Sequence, residues 1–284
     1  MESGLRETLC EHRHRGTAIL ATNFYNAETL LAILQAAQQT GSAVILQTSP
    51  ATLEYLGVET AVAMARACAR ERGVTAYLHL DHAREVSLVE RCVRAGYDSV
   101  MIDASEQDFA ANVSLTRQVV ALAHLRGVLV EAELGYIPKL GEREAQQVEM
   151  TSPEQAERFV RETGVDLLAV AIGNAHGFYQ QAPRLDLERL QTIRERVEAF
   201  LVLHGASGIP DGQWREAVRR GIVKVNFATE IKDAFMTHLR TTIQRSDSID
   251  IRQVFPSAMR AVTELVQQKM ALCAGQESPQ PRAK

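Results

Sequence analysis

The chain has little of what marks several protein classes. Its four cysteines (Cys10, Cys68, Cys92, Cys273) share no disulfide-framework or zinc-knuckle spacing. They read as reduced thiols, so a cytoplasmic protein is expected. No basic block interrupts a formal net charge of −4, which leaves no electrostatic footprint for nucleic acid. No apolar run approaches membrane-spanning length, and the polar start Met1–Glu7 has no signal-peptide core. No internal linker divides the 284 residues, so one domain is expected over 1–274, followed by a disordered tail at 275–284 rich in Pro and Gln. What remains, 46% hydrophobic and 23% charged residues, is the composition of a globular chain with a large core.

Short apolar, β-rich runs recur at Ala18–Phe24, Ala43–Thr48, Ala76–Asp81, Ser99–Asp103, Val128–Leu134, Leu167–Ile172, Phe200–His204 and Ile222–Phe227. Helical spacing fills the intervals, at Ala27–Thr40, Val58–Arg72, Val86–Ala95, Asn112–Arg126, Ser152–Thr163, Asp186–Val197 and Gly212–Arg220. Alternation of this kind implies parallel strands joined by right-handed crossovers. Eight such units predict an α/β fold, a single (β/α)8 TIM barrel with a C-terminal helical extension; an open doubly wound sheet is the alternative. Gly41, Gly73, Gly96, Gly127, Gly164 and Gly221 fall where helix C-caps belong. The polar stretch Tyr136–Met150 reads as a mobile loop.

In a barrel, chemistry sits where the strands end. Here those ends carry Asn23, Ser49, Asp81 with His82, Asp103, Glu133, His176, His204 and Asn226. One histidine in a loop is ordinarily just hydrogen-bonded there. Three that each follow an apolar run suggest a shared site, and His82, His176 and His204 with an open fourth position suit a catalytic zinc. Asp81 would place a carboxylate beside it. Glu131 and Glu133, two apart on one strand, should face the interior together, with Lys224 as their counter-charge. His79 is expected to orient Asp81, whereas His12, His14, His124 and His238 read as surface residues and Trp214 as packing. The turn Gly205-Ala206-Ser207-Gly208 and the segment Asn226-Phe227-Ala228-Thr229 each lead into a helix after strands seven and eight, the usual phosphate site of such barrels.

At these residues the chain resembles the class II, metal-dependent ketose-bisphosphate aldolases. The matching segments are Leu78–Ala83, Val100–Ser105, Val130–Gly135, Ala169–Gly177, Leu201–Pro210 and Val223–Lys232, in family order, with wording closest to the tagatose-bisphosphate branch. The resemblance implies reversible cleavage of tagatose-1,6-bisphosphate or fructose-1,6-bisphosphate to dihydroxyacetone phosphate and glyceraldehyde 3-phosphate, through a zinc-stabilised enediolate. It assigns His82, His176 and His204 to one Zn2+ per subunit and Asp81 to proton transfer, with Asn226 as the catalytic asparagine. Asp103 and Glu133 would hold a second or alternate metal, and a monovalent cation is a further candidate. Asn23, Ser49, Gly177, Gly205, Ala206, Ser207, Asn226, Phe227, Ala228 and Thr229 would contact substrate. The family's glycine pair after the fifth strand is missing, so Glu142, ahead of Glu144, is the candidate loop acid. A homodimer or homotetramer is the expected assembly. An aldolase for another phosphorylated sugar, a zinc-dependent hydrolase and a non-catalytic accessory subunit are the other readings of this barrel.

Overall fold

A computed structural model describes residues 4–138, 150–179 and 181–277. Eight parallel strands close into a barrel in sequence order: β1 (Ile19–Asn23), β2 (Val44–Thr48), β3 (Ala76–Ala83), β4 (Ser99–Ile102), β5 (Leu129–Leu134), β6 (Leu167–Val170), β7 (Phe200–Leu203) and β8 (Ile222–Phe227). The helices in the first half are α1 (Leu5–Arg15), α2 (Ala27–Thr40), α3 (Pro50–Leu56), α4 (Val58–Glu71), α5 (Val86–Ala95) and α6 (Phe109–His124). The second half adds α7 (Pro153–Thr163), α8 (Leu187–Arg196), α9 (Asp211–Arg219), α10 (Thr229–Arg245) and α11 (Ile251–Cys273). The expected TIM barrel and its C-terminal helical extension are both present, and α11 packs along α2 and α10. Among the described residues no helix is long and apolar enough to cross a membrane. Most of the Tyr136–Met150 stretch, with Glu142 and Glu144, and the end of the expected tail lie outside the described residues.

Local chemistry accounts for the helix starts. Asn26 and Thr29 form a reciprocal capping box on α2, and Ser152 caps α7 with Pro153 in the first turn. The helix α1 was not anticipated, because Leu5 and Leu9 are nearly its only apolar residues. Both are buried against Ile19, Ile45, Leu129, Leu167 and Phe200, so α1 plugs the N-terminal mouth of the barrel. Burying Leu9 alone contributes on the order of 2 kcal/mol. Buried Asp166 anchors the same end, bonding Arg6 of α1 and accepting from Val130 N at 2.8 Å. His124, expected as a bland surface residue, joins it at 2.8 Å.

The interior changes character along the barrel. Ile19, Ile45, Leu129, Leu167 and Phe200 form the apolar floor above α1. Two residues further along their strands, the lining includes Gln47, Glu131 and Val202; two further again it carries Glu133 and His204. Side chains alternate in and out with period two, so one stride along a strand moves from packing to chemistry. Glu131 and Glu133 both face inward and are buried, as expected.

Candidate metal centre and active site

The end of β3 breaks the alternation. Its pairing with β4 shifts register between Leu80 and Ala83, and His82 is the non-glycine residue with positive φ (52°) among those described. Such a conformation is costly for a residue with a Cβ, and bulges re-aim side chains at functional ends of strands. Consecutive residues of a regular strand face opposite ways. Here Asp81 Oδ1 and His82 Nε2 lie 4.0 Å apart at one site.

The three histidines converge. The His82 ring centroid is 4.8 Å from those of His176 and His204, which are 5.7 Å from each other. One donor atom from each, with a carboxylate oxygen of Glu133, lies within 4.8 Å of every other, the one such group among the described residues. His82 Nδ1 pairs with Asp103 Oδ2 at 2.8 Å, and His204 Nε2 pairs with Glu131 Oε1 at 2.7 Å. Those bonds turn His82 Nε2 and His204 Nδ1 toward one another, 3.0 Å apart, and once His82 gives up its Nε2 proton both present lone pairs to the same point.

Electrostatics fits a cation there. Burial opposes charging of His82, yet Asp81, the hydrogen bond to Asp103, and Glu133 outweigh it and raise its pKa to about 9. Burial, then His82 and His204, push His176 down to about 3. Burial, then His82, also holds His204 well below the ordinary imidazole value. Glu133 is raised to about 8 by burial and by Asp103. Its Oε1 accepts from Ile137 N at 3.0 Å, while buried Oε2 has no hydrogen-bond partner and lies 3.7 Å from His204 Nδ1. An unpartnered Glu133 oxygen beside three converging imidazoles forms a donor set that a divalent ion would complete.

Asp103 is bound up with His82 and Ser105. Its Oδ2 holds His82, and its Oδ1 accepts from Ser105 N (3.1 Å) and Oγ (2.7 Å). Burial works against its charge, but the hydrogen bonds from His82 and Ser105 keep it well below the usual carboxylate range. Glu133 faces the histidines, close enough to Asp103 for that charge to raise its carboxyl pKa. His79 departs from expectation. It lies against Ser99 (Nδ1 to Oγ, 2.7 Å) and Lys224 (Nε2 to Nζ, 3.3 Å), not against Asp81. Burial and then Lys224 keep its ring well below the ordinary pKa, so neutral Nε2 accepts from the ammonium. Lys224 donates onward to Glu131 Oε2 at 2.6 Å, as its expected counter-charge role requires. A wholly buried chain thus runs from Ser99 through His79, Lys224 and Glu131 to His204.

Asp81 is held by amides. Its Oδ1 accepts from Gln47 Nε2 and Asn226 Nδ2, each at 3.2 Å, and its Oδ2 accepts from Asn23 Nδ2 at 3.4 Å. Gln47 did not figure among the expected site residues. Its signal was available, a lone amide inside the apolar run Val44–Thr48, and register pairs it with Asn23. The carbonyl oxygens Asn23 Oδ1, Gln47 Oε1 and Asn226 Oδ1 are buried without partners around the same carboxylate.

The remaining expected residues divide. Ser49 caps α3 through Thr52 N at 3.3 Å. Gly205, Ala206 and Ser207 form a buried turn whose Ala206 N–H reaches Asn226 O at 3.3 Å, joining the loops after β7 and β8. Phe227 packs into the core beside Trp214, their centroids 6.1 Å apart, so only its backbone can face the site. Thr229 opens α10, which no side chain caps. Gly177 follows His176 with φ of 107°.

The architecture is shared with known enzymes. The YdjI aldolase from Escherichia coli K12 superposes with a TM-score of 0.84 at 32% identity, over 96% of this chain and 98% of that one. A Coccidioides immitis protein, provisionally a fructose-1,6-biphosphate aldolase, gives 0.87 at 32% identity over 97% of both chains. The fructose-bisphosphate aldolase of Campylobacter jejuni shares the fold at 0.83, with 22% identity over 97% of this chain and 95% of its own. The family model described as fructose-bisphosphate aldolase class-II matches residues 3–278. By that match and by its neighbours, the chain belongs to the class II fructose-bisphosphate aldolases, metal-dependent lyases built on this barrel.

Proposed function

We propose that the protein reversibly cleaves a ketose bisphosphate, tagatose-1,6-bisphosphate or fructose-1,6-bisphosphate, to dihydroxyacetone phosphate and glyceraldehyde 3-phosphate. The observation that carries this reading is the state of Asp81. A carboxylate offers about four lone-pair sites; Gln47, Asn226 and Asn23 occupy three of them. One site remains, on Oδ2, while Oδ1 of the same carboxylate lies 4.0 Å from His82 Nε2. In cleavage Oδ2 takes the proton from the C4 hydroxyl as the C3–C4 bond breaks and its electron pair moves toward the C2 carbonyl. Condensation reverses the transfer, with Asp81 returning the proton to the aldehyde oxygen.

His82, His176 and His204 would hold zinc, which suits a three-nitrogen set, with Glu133 as an adjoining carboxylate. When bound, the ion supplies Lewis acidity at the substrate carbonyl. Glu131 and Asp103 keep two of the ligand rings in the required tautomers. The unpartnered carbonyls of Asn23, Gln47 and Asn226 suit the hydroxyls of a sugar chain. Backbone N–H groups of Gly205 and Ser207 in the turn and of Ala228–Thr229 would receive a phosphate, with the turn braced by Ala206 N on Asn226 O and Gly208 N on Glu230 Oε1. Ser49, Gly177 and Phe227 complete the proposed contacts, the last through its backbone. Glu142, or Glu144, would move the proton on dihydroxyacetone phosphate. The free thiols, including exposed Cys10, support a reducing, cytoplasmic setting for an enzyme we take to be a homodimer or homotetramer.

The test compares tagatose and fructose bisphosphates, and the corresponding monophosphates, with triose phosphate as the detected product. Metal-dependent triose phosphate release from a bisphosphate is expected. Release of inorganic phosphate without triose phosphate would replace this reading with a hydrolase.

A further inference from the structure

Tyr179 touches neither the histidine rings nor Asp81, yet it ties together the two loops that carry His176 and His204. Its phenolic oxygen accepts the N–H of Ala175 at 2.6 Å and donates to the carbonyl of Gly205 at 3.0 Å. A phenol has one proton to give and lone pairs to receive with, so each loop engages a different capability of one oxygen. Ala175 immediately precedes His176, and Gly205 immediately follows His204. Asn174 adds a second stitch along the seam. Its Oδ1 accepts from Ile172 N at 2.9 Å, and its Nδ2 donates to His204 O at 3.0 Å.

The seam is tight. A Cβ at Gly205 would stand 2.1 Å from Ala175 O, so the two backbones touch where only glycine fits. The Tyr179 ring continues the contact under the turn, where a Cβ at Gly208 would come within 3.1 Å of Cδ2. Burial raises the phenol pKa, against the bond from Ala175, so the hydroxyl keeps the proton that Gly205 receives.

We propose that Tyr179 is a positioning residue whose hydroxyl sets the spacing of His176 and His204 and, with its ring, the placement of the Gly205–Gly208 turn. The loop after β6 runs from Ala171 to Asp186, and its described residues form no helix or extended strand. A metal site tolerates only small errors in donor position, so a loop of that length needs an external reference. The hydroxyl provides it one residue from each ligand. The part concerning the turn rests on the aldolase reading; the part concerning the histidines does not.

The experiment is Tyr179→Phe in the full chain, which removes one oxygen and keeps the ring under Gly208. Co2+ affinity is measured by competition with a chromophoric chelator, alongside the visible Co2+ spectrum, KM, kcat and thermal melting. We expect Co2+ binding weakened about tenfold or more, a changed spectrum, and KM raised more than kcat is lowered. Wild-type affinity and spectrum in the variant would overturn the proposal, as would a lowered melting temperature with spectrum and KM unmoved. Should the variant not fold, amide exchange in the wild type decides: Ala175 N–H must be protected as strongly as strand amides, and free exchange rejects the tie. If the wild type cleaves no ketose phosphate, the aldolase reading fails while the Co2+ measurements still judge Tyr179.

Discussion

His82 Nε2 and His204 Nδ1 stand 3.0 Å apart, each with its opposite ring nitrogen bonded to a carboxylate, Asp103 and Glu131 respectively. At that distance the two nitrogens share one proton, and the raised pKa of His82 assigns it to His82 Nε2, which donates to His204 Nδ1. A divalent ion held by these two nitrogens and His176 would take the place of that proton.

Metal removal follows from this pair. Exhaustive chelation should abolish cleavage, and zinc should restore it. His204→Ala should lose most of the bound metal, as read by elemental analysis. Full activity in protein shown to be metal-free would remove the mechanism.

In the proposed reaction Asp81 moves a proton and holds no metal. Asp81→Ala should retain the metal and bind dihydroxyacetone phosphate, but lose turnover by roughly a hundredfold or more. Metal analysis and steady-state kinetics on the same preparation check both halves. A variant that loses its metal would make Asp81 a ligand or an orienting residue.

Lys224 and Glu131 are both wholly buried, 2.6 Å apart. Lys224→Met would leave a carboxylate charge alone inside the barrel and should cost about 3–5 kcal/mol in urea unfolding of the metal-free protein. Pairing it with Glu131→Gln should recover most of that loss, because the unpaired charge is gone. The double variant should still bind metal more weakly, since the His204 Nε2 proton then meets a neutral amide oxygen in place of a carboxylate. Equal destabilisation by single and double variants would show that the charge pair is not the cause.

The loop acid is separable from bond cleavage. Glu142→Ala should slow exchange of the dihydroxyacetone phosphate proton with solvent in the absence of aldehyde, with Glu144→Ala as the second candidate. A single turnover should still deliver aldehyde, because breaking the C3–C4 bond needs Asp81 and not the loop. Wild-type exchange in both single variants and the double variant would place that function elsewhere.

Much of this protein is written in local patterns. Eight apolar runs separated by helical spacing specify the barrel, because period-two burial and short crossovers leave few other closed solutions. The rule that barrels do chemistry at strand C-termini then picks out Asp81, His82, His204 and Asn226 from their positions alone. The inward pair Glu131 and Glu133 and the counter-charge Lys224 followed from strand periodicity in the same way.

Other features needed the folded chain, since they depend on which strands become neighbours. Nothing local distinguishes Gln47 from a solvent-facing amide until closure carries it to Asp81. Asp103 and Glu133 look alike in sequence as acids near strand ends, yet closure points one at His82 Nδ1 and the other into the histidine trio. The left-handed turn at His82 brings two consecutive side chains to one site, which alternation alone would forbid. Tyr179 reads as an ordinary loop aromatic until the loops after β6 and β7 meet around its hydroxyl. Sequence period determines which face a residue takes; only the three-dimensional register determines what it meets there, because the partners that closure brings together lie from 21 to 145 residues apart along the chain.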